Sequence, residues 1–224
     1  MSNKFLNNVS NILETYKGRD KVLKTLCYGA RFIGGSKKDE LSTRLRRFGS
    51  EMSAARAVLR LLDDASTISY VIEYKLGQNE PDRVMAVLGF LGNLADLIYC
   101  PIDKICWLGS TKLINVKDVE YYDNINTLCW VFSVYFSLMR NLWYLRILSL
   151  TQKSLSRKHL EYSNLDKRRK YEILTCVRLT LDLLHAVNSL PPGFLWSSKF
   201  KAWQVGLIGT ISGMISLFQM YSKK

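Results

Sequence analysis

The sequence predicts an all-α membrane protein, with amphipathic helices in its N-terminal region and two transmembrane helices further on. Three observations carry this. Apolar residues recur every three or four positions along nearly the whole chain, and no convincing run alternates as a strand does. Only four prolines occur in 224 residues, so long helices can form uninterrupted. Two stretches, 125–150 and 202–221, are long and poor in charge, and about 20 apolar residues suffice to cross a bilayer.

In the first helix Phe5, Val9, Ile12, Leu13 and Tyr16 share a face, and Gly18 is placed to end it in a left-handed cap. Asp20 then opens a second helix, favoured by the positive end of the dipole. That helix runs to about Ile33, where Gly34-Gly35 stops it. A polar loop, 36–40, leads into a long amphipathic helix from about Leu41 to Leu76, and Gly77 to Pro81 breaks it. The next helix starts near Pro81-Asp82 and carries Val84, Val87, Leu88, Leu91, Leu94, Ala95 and Ile98. Its Asn93 and Asp96 make it a poor span, since a carboxylate in lipid costs about 2.5–3.5 kcal/mol. Pro101 kinks or ends it.

Ile125 to Leu138 carries no charge, and the apolar run resumes after Arg140 as far as Leu150. Arg140 and Arg146 shorten the clean stretch, but tilting and arginine snorkelling could rescue it. It reads as a first span, with a buried core helix as the alternative. Ala202 to Tyr221 is uncharged, with Lys199 and Lys201 on one side and Lys223 and Lys224 on the other. Trp203 and Tyr221 sit where interfacial aromatics belong. Gly206, Gly209 and Gly213 would let a neighbouring helix approach closely, and Gly209 with Gly213 forms a GxxxG step. The chain thus divides into an amphipathic helical region (1–122), a first span (123–150), a basic helical loop region (151–198), a second span (199–221) and a short tail (222–224).

The stretch from Arg44 to Leu62 holds five arginines and one acid, Glu51. On a helical wheel of about 100° per residue, Leu41, Leu45, Phe48, Met52, Ala55, Leu59 and Leu62 cluster on one side. Arg46, Arg47 and Arg60 lie towards the other. Arg44 and Arg56 flank the stripe, where long stems can cover apolar surface while the charge reaches water. Such a helix either packs its stripe on a protein core or lies in a membrane interface with arginines near lipid phosphates.

Net charge is +13, which suggests an anionic partner. Nucleic acid is not the expectation: Lys167-Arg168-Arg169-Lys170 reads as a solvated face, and no zinc finger, RNA-recognition signature or basic zipper accompanies it. The five cysteines are odd in number and form no CxxC pair, which fits reduced thiols. His159 and His185 are too scattered for a zinc site. No phosphate loop or nucleophile–base pair is present. Asp63 and Asp64 are adjacent and point about 100° apart on a helix. The reading is therefore no enzyme, no metal and no cofactor. The N-terminal stretch lacks the apolar core of a secretory signal. The basic excess of 1–122 equals that of 151–196, so charge does not orient the spans.

Several motifs resemble the peroxin-11 family of peroxisomal membrane proteins. They are Gly18-Arg19-Asp20-Lys21 with Tyr28, then Arg56, Leu59 and Arg60, and the terminal run Val205 to Leu217. The stretches Leu91 to Trp107 and Leu190 to Trp196 look most like the gamma branch. The resemblance covers about Phe5 to Tyr221. Some relatives end in a dilysine sorting signal, whereas here the two lysines are the last residues. The resemblance implies membrane protrusion, elongation and division of peroxisomes. It also implies self-association, including with related family members, and work alongside fission adaptors and dynamin-like GTPases. Both termini would face the cytosol, with 151–198 lumenal and the arginine helix on anionic lipids of the cytosolic leaflet. The alternatives are a metabolite pore lined by Asp96 or Arg140, and a soluble helical adaptor.

Overall fold

A computed structural model describes residues 2–36, 39–61, 64–154 and 160–222. The elements there are α1 (Ser2–Glu14), α2 (Tyr16–Gly34), α3 (Glu40–Arg60), α4 (Asp64–Tyr74), α5 (Arg83–Ser110), α6 (Val119–Ser154), α7 (Leu160–Asn188) and α8 (Ala202–Ser222). Among the described residues there is no strand, as the helical periodicity requires. The helices form two units. One comprises residues 1–62 and 196–224, the other 63–195.

In the first unit α2 runs between α3 and α8 and antiparallel to both. Its start is set by Thr15, whose hydroxyl accepts a hydrogen bond from the Gly18 N–H at 3.1 Å. The helix therefore begins a turn before Asp20. Gly18 lies inside it rather than capping α1, because a Cβ there would strike the Ile12 carbonyl. On the α8 side, side chains at Gly206, Gly209 and Gly213 would collide with Phe32, Tyr28 and Thr25 respectively. Lys24 adds a 3.0 Å hydrogen bond to the Ser212 hydroxyl. On the α3 side, Gly34 meets Ser42 and Leu45, and Gly49 meets Cys27 and Ala30.

Asp20 closes the far end of the α2–α3 contact. Its carboxylate receives the Arg56 guanidinium at 2.9 Å and the Lys21 ammonium at 3.0 Å. The Asp20 and Arg56 side chains are only 13% and 15% exposed. Burial pushes the carboxyl pKa up, but Lys21 and Arg56 more than offset this and hold it below the usual range.

The single helix expected from Leu41 to Leu76 is two. α3 closes with the Leu61 N–H on the Val58 carbonyl (3.2 Å), and α4 opens with Asp64 in its first turn, where the dipole favours an acid. Lys104 of α5 pairs with that carboxylate. The predicted break after α4 occurs, with Gly77 at φ +74°, a conformation that side chains other than glycine's rarely adopt.

In the second unit α5, α6 and α7 run alternately up and down. Val134, Leu138 and Leu179 form the α6–α7 core with Trp130 and Cys176 against it. His185 is a buried core histidine with Trp130 edge-on at 5.3 Å. α5 runs unbroken through Pro101. The clip over the proline explains this: Tyr99 donates to the Asp103 carboxylate (3.1 Å), and Asn126 of α6 donates to the same oxygen (3.1 Å). A neighbouring helix can thus hold the turn that proline weakens.

Two predictions follow from the first unit. Gly209→Leu should lower the melting temperature of the detergent-purified protein by many degrees, whereas Gly29→Ala, with nothing near its Cβ, should hold the melting temperature or raise it, stabilising by up to ~1 kcal/mol. The depressed Asp20 pKa means its pairing is fully present above the unfolded carboxylate pKa of about 4. It is lost as pH falls through the lower folded value. Melting curves between about pH 2 and 6 should show this acid step, and Asp20→Asn should remove it.

Candidate functional site

The face α3 gives to α2 is not its apolar stripe. Ser42, Gly49 and Arg56 centre the contact, with Leu45 at its edge against Gly34, and on a wheel those three lie about 90° from the centre of the stripe. Small residues permit the close approach, so the large ones are left at the side. Leu41 is 61% and Phe48 43% exposed. Leu45, Met52, Ala55 and Leu59 are half-buried. Leu62 lies outside the described residues.

The arginines divide. Arg47 and Arg44 are exposed, the latter on Glu40 at 2.6 Å. Arg46 reaches back to the Gly34 carbonyl (3.0 Å) while remaining exposed. Arg60 is half-buried. Arg56 corrects the sequence reading, which set it beside the stripe for lipid phosphates. It turns into the protein and neutralises Asp20. Nothing in the pattern of α3 alone reveals that carboxylate.

α8 is inverted relative to a helix built for water. Gly206, Gly209, Ser212, Gly213, Ser216 and Gln219 are buried, while Ile211, Met214 and Phe218 are exposed. α5 follows the same plan. Gly89, Gly92 and Asn93 are buried, and Val84, Val87, Phe90, Leu94 and Ile98 are exposed. Polar and small groups inside with large apolar groups outside is the arrangement a lipid environment selects. Among the described residues the helices long and apolar enough to cross a membrane are α5 and α8.

The segment 125–150, read from the sequence as the first span, lies within α6 and does not meet that test. α6 buries Asn126, Asn141 and Gln152 and carries two arginines in its second half, which lower its hydropathy. The sequence reading passed over α5 because of Asn93 and Asp96. Both are sheltered: Asn93 is buried and Asp96 is half-buried. The paired glycines Gly89 and Gly92 were the available signal that this polar stripe faces a helix.

Around the start of α5 the sequence reading also missed a polar cluster. Asp82 caps α5 by accepting from the Val84 N–H (2.9 Å) and also accepts the Trp143 indole N–H (2.6 Å). These two bonds hold its carboxyl below the usual range. Glu80 pairs with Arg140, which also lies over the Tyr74 ring. Among the described residues no group of His, Cys, Asp and Glu converges as a metal site.

Comparison with known proteins completes this picture of an inside-out helical protein with a spare amphipathic face. Residues 6–221 match the family described as Peroxisomal biogenesis factor 11 (PEX11). The chain is similar to Peroxisomal membrane protein 11C of Homo sapiens, 32% identical over 226 residues (96% of this chain, 93% of the relative). It is 34% identical over 228 residues to Peroxisomal membrane protein 11C of Mus musculus, with the same coverage. A plant relative, Peroxisomal membrane protein 11-1 of Oryza sativa subsp. japonica, is 25% identical over 221 residues (92% and 87%). No solved structure matches. A match over nearly the whole length, on helices whose exposed faces suit lipid, makes the chain a member of the PEX11 family, a peroxisomal membrane protein of peroxisome biogenesis.

Proposed function

We propose that this protein elongates the peroxisomal membrane ahead of division by sinking the apolar stripe of α3 into the cytosolic leaflet. The observation that carries the reading is the stripe left at the side of the α2–α3 contact, with Leu41 and Phe48 exposed. Full burial of such a side chain stabilises by about 1.5–3 kcal/mol. Arg44 and Arg47, both exposed on α3, would each add about 1 kcal/mol of attraction to an anionic surface. Material inserted about 5–10 Å into one leaflet only favours curvature.

In this reading α5 and α8 cross the bilayer, which leaves both termini on one side. The family resemblance supports the cytosolic side. Copies then gather, with each other and with related family members, and hand the tubule to fission adaptors and a dynamin-like GTPase. The glycine stripe of α8 is taken by α2 of the same chain in this structure, so copies meet through it only once α2 has moved away. A pore through Asp96 or Arg140 has less support, since Arg140 is paired with Glu80.

The reading requires movement. α3 runs alongside α2, and α2 alongside α8, so with α8 upright a docked α3 stands upright too. On the membrane α3 therefore leaves α2 and lies flat. Gly35, just before α3, abuts Ala202 and Trp203 at the end of α8 opposite its cytosolic C-terminus, so α2 must part from α8 as well for α3 to reach the cytosolic leaflet. The α2–α3 contact suits release, being made mainly of small residues, with the Asp20–Arg56 pair and a hydrogen bond from Arg46 to the Gly34 carbonyl.

Two experiments test this. A Cβ at Gly49 would sit 3.5 Å from that of Ala30, a spacing a disulfide can bridge. Ala30→Cys/Gly49→Cys, made with Cys27→Ala, should tubulate anionic vesicles when reduced and fail when oxidised. Equal tubulation in both states would refute the release of α3. Phe48→Glu should abolish tubulation. Arg44→Ala/Arg47→Ala should weaken vesicle binding by about 2 kcal/mol, roughly 30-fold at low salt, in a co-sedimentation assay. Wild-type behaviour of both variants would overturn the wedge.

A further inference from the structure

The second unit holds a cavity of about 540 Å³ whose wall includes Glu80, Arg140, Asn141, Arg168, Glu172 and Arg178. We propose that it binds the headgroup of a membrane phospholipid: a phosphate ester carrying a hydrogen-bond donor, as in phosphatidylethanolamine. Three guanidinium groups converge on one space, each fixed from behind. Arg140 pairs with Glu80 and lies over Tyr74, with 5.6 Å to the ring centroid. Arg168 lies over Tyr144 at 5.4 Å. Arg178 pairs with Asp182 at 3.4 Å. Planar guanidinium forks recognise phosphate oxygens better than lysines do.

Two buried polar atoms in this wall lack a partner within the protein: Nε of Arg140, a donor, and Oδ1 of Asn141, an acceptor. Asn141 is only 8% exposed, and a buried polar group left unpaired costs about 1–3 kcal/mol. Its amide nitrogen is used, donating to Glu172 at 2.7 Å. The wall therefore asks for an acceptor beside Arg140 and a donor beside Asn141 and Glu172. A phosphodiester alone supplies only the first, whereas a phosphodiester joined to an ammonium or hydroxyl group supplies both. The volume suits a ligand of that size, and Met85 and Leu179 supply apolar wall.

Depth argues for lipid as the source. Glu80, Pro81 and Met85 form part of the cavity wall, at the level where α5 begins. Trp143, Tyr144 and Tyr74 surround the same level, as aromatics do at a headgroup boundary. This step rests on the reading that α5 crosses the bilayer. The phosphate chemistry of the wall does not depend on it, and neither depends on α3.

The test is native mass spectrometry of the full chain in detergent, titrated separately with phosphatidylethanolamine, phosphatidylcholine, diacylglycerol and soluble glycerophosphoethanolamine. The expected result is at least tenfold tighter retention of phosphatidylethanolamine than of diacylglycerol or the soluble headgroup. Phosphatidylcholine, which lacks the donor, should fall between. Arg168→Ala/Arg178→Ala should lose that retention at least tenfold, while Lys117→Ala, an exposed charge, should keep it. Circular dichroism checks that the double variant is folded. If it is not, Glu172→Gln serves instead, and should bring phosphatidylethanolamine and phosphatidylcholine to parity. Unchanged retention in a folded double variant, unchanged preference in Glu172→Gln, or diacylglycerol bound as well as phosphatidylethanolamine overturns the site. Soluble headgroup bound as tightly as the lipid overturns the lipid source and leaves a free phosphate ester as the ligand.

Discussion

Contact between helix backbones through glycine is the constraint on which the first unit depends. Gly206, Gly209 and Gly213 bring α8 onto α2 so closely that no side chain fits between. Gly34 does the same between α2 and α3, and Gly49 rests there in near contact with Cys27 and Ala30. Once small residues fill the interior, the large apolar ones must lie outside. The exposed Met214 and Phe218 of α8 and Leu41 and Phe48 of α3 are consequences of that one choice. A water-soluble protein would reverse it, since burying apolar area drives folding in water. In lipid there is little to gain by hiding a phenylalanine, and close packing with internal hydrogen bonds decides association.

The second unit solves the same problem with polar groups. α5 and α6 hold Asn93, Asn126 and Asp103 between them, and Glu80 meets Arg140 near the start of α5. Charges inside an apolar protein must be paired, because taking an ion out of water unpaired costs several kcal/mol. Asp20 and Arg56 obey the same rule in the first unit. That pair differs in joining two helices that the proposed mechanism separates, so in that mechanism it restrains α3 as well as contributing to stability.

The two units therefore divide the labour in the proposed account. The first holds a cationic amphipathic helix on a small-residue seat, ready to exchange protein contact for lipid contact. The second keeps its polar groups around a cavity at the start of α5. Family membership fixes the organelle and the process, while the physics of individual faces indicates how the chain would act on a bilayer.

Much of this was legible in the sequence. Helical periodicity fixed the fold class, because a 3.6-residue repeat has no strand-like reading. The uncharged run with flanking lysines marked α8, and its glycines announced close packing. The arginine helix was visible as amphipathic. Tertiary structure alone decided which partner each face meets. Periodicity tells that Arg56 flanks the stripe, but not that Asp20, 36 residues earlier in the chain, waits for it. Hydropathy counts Asn93 and Asp96 against α5, because a sequence cannot say that α6 covers them. Pro101 reads as a break, yet Asn126 of α6 helps hold the turn across it. Local patterns depend on neighbours along one helix, whereas shelter for a charge, a proline or a polar amide depends on residues brought close only by packing.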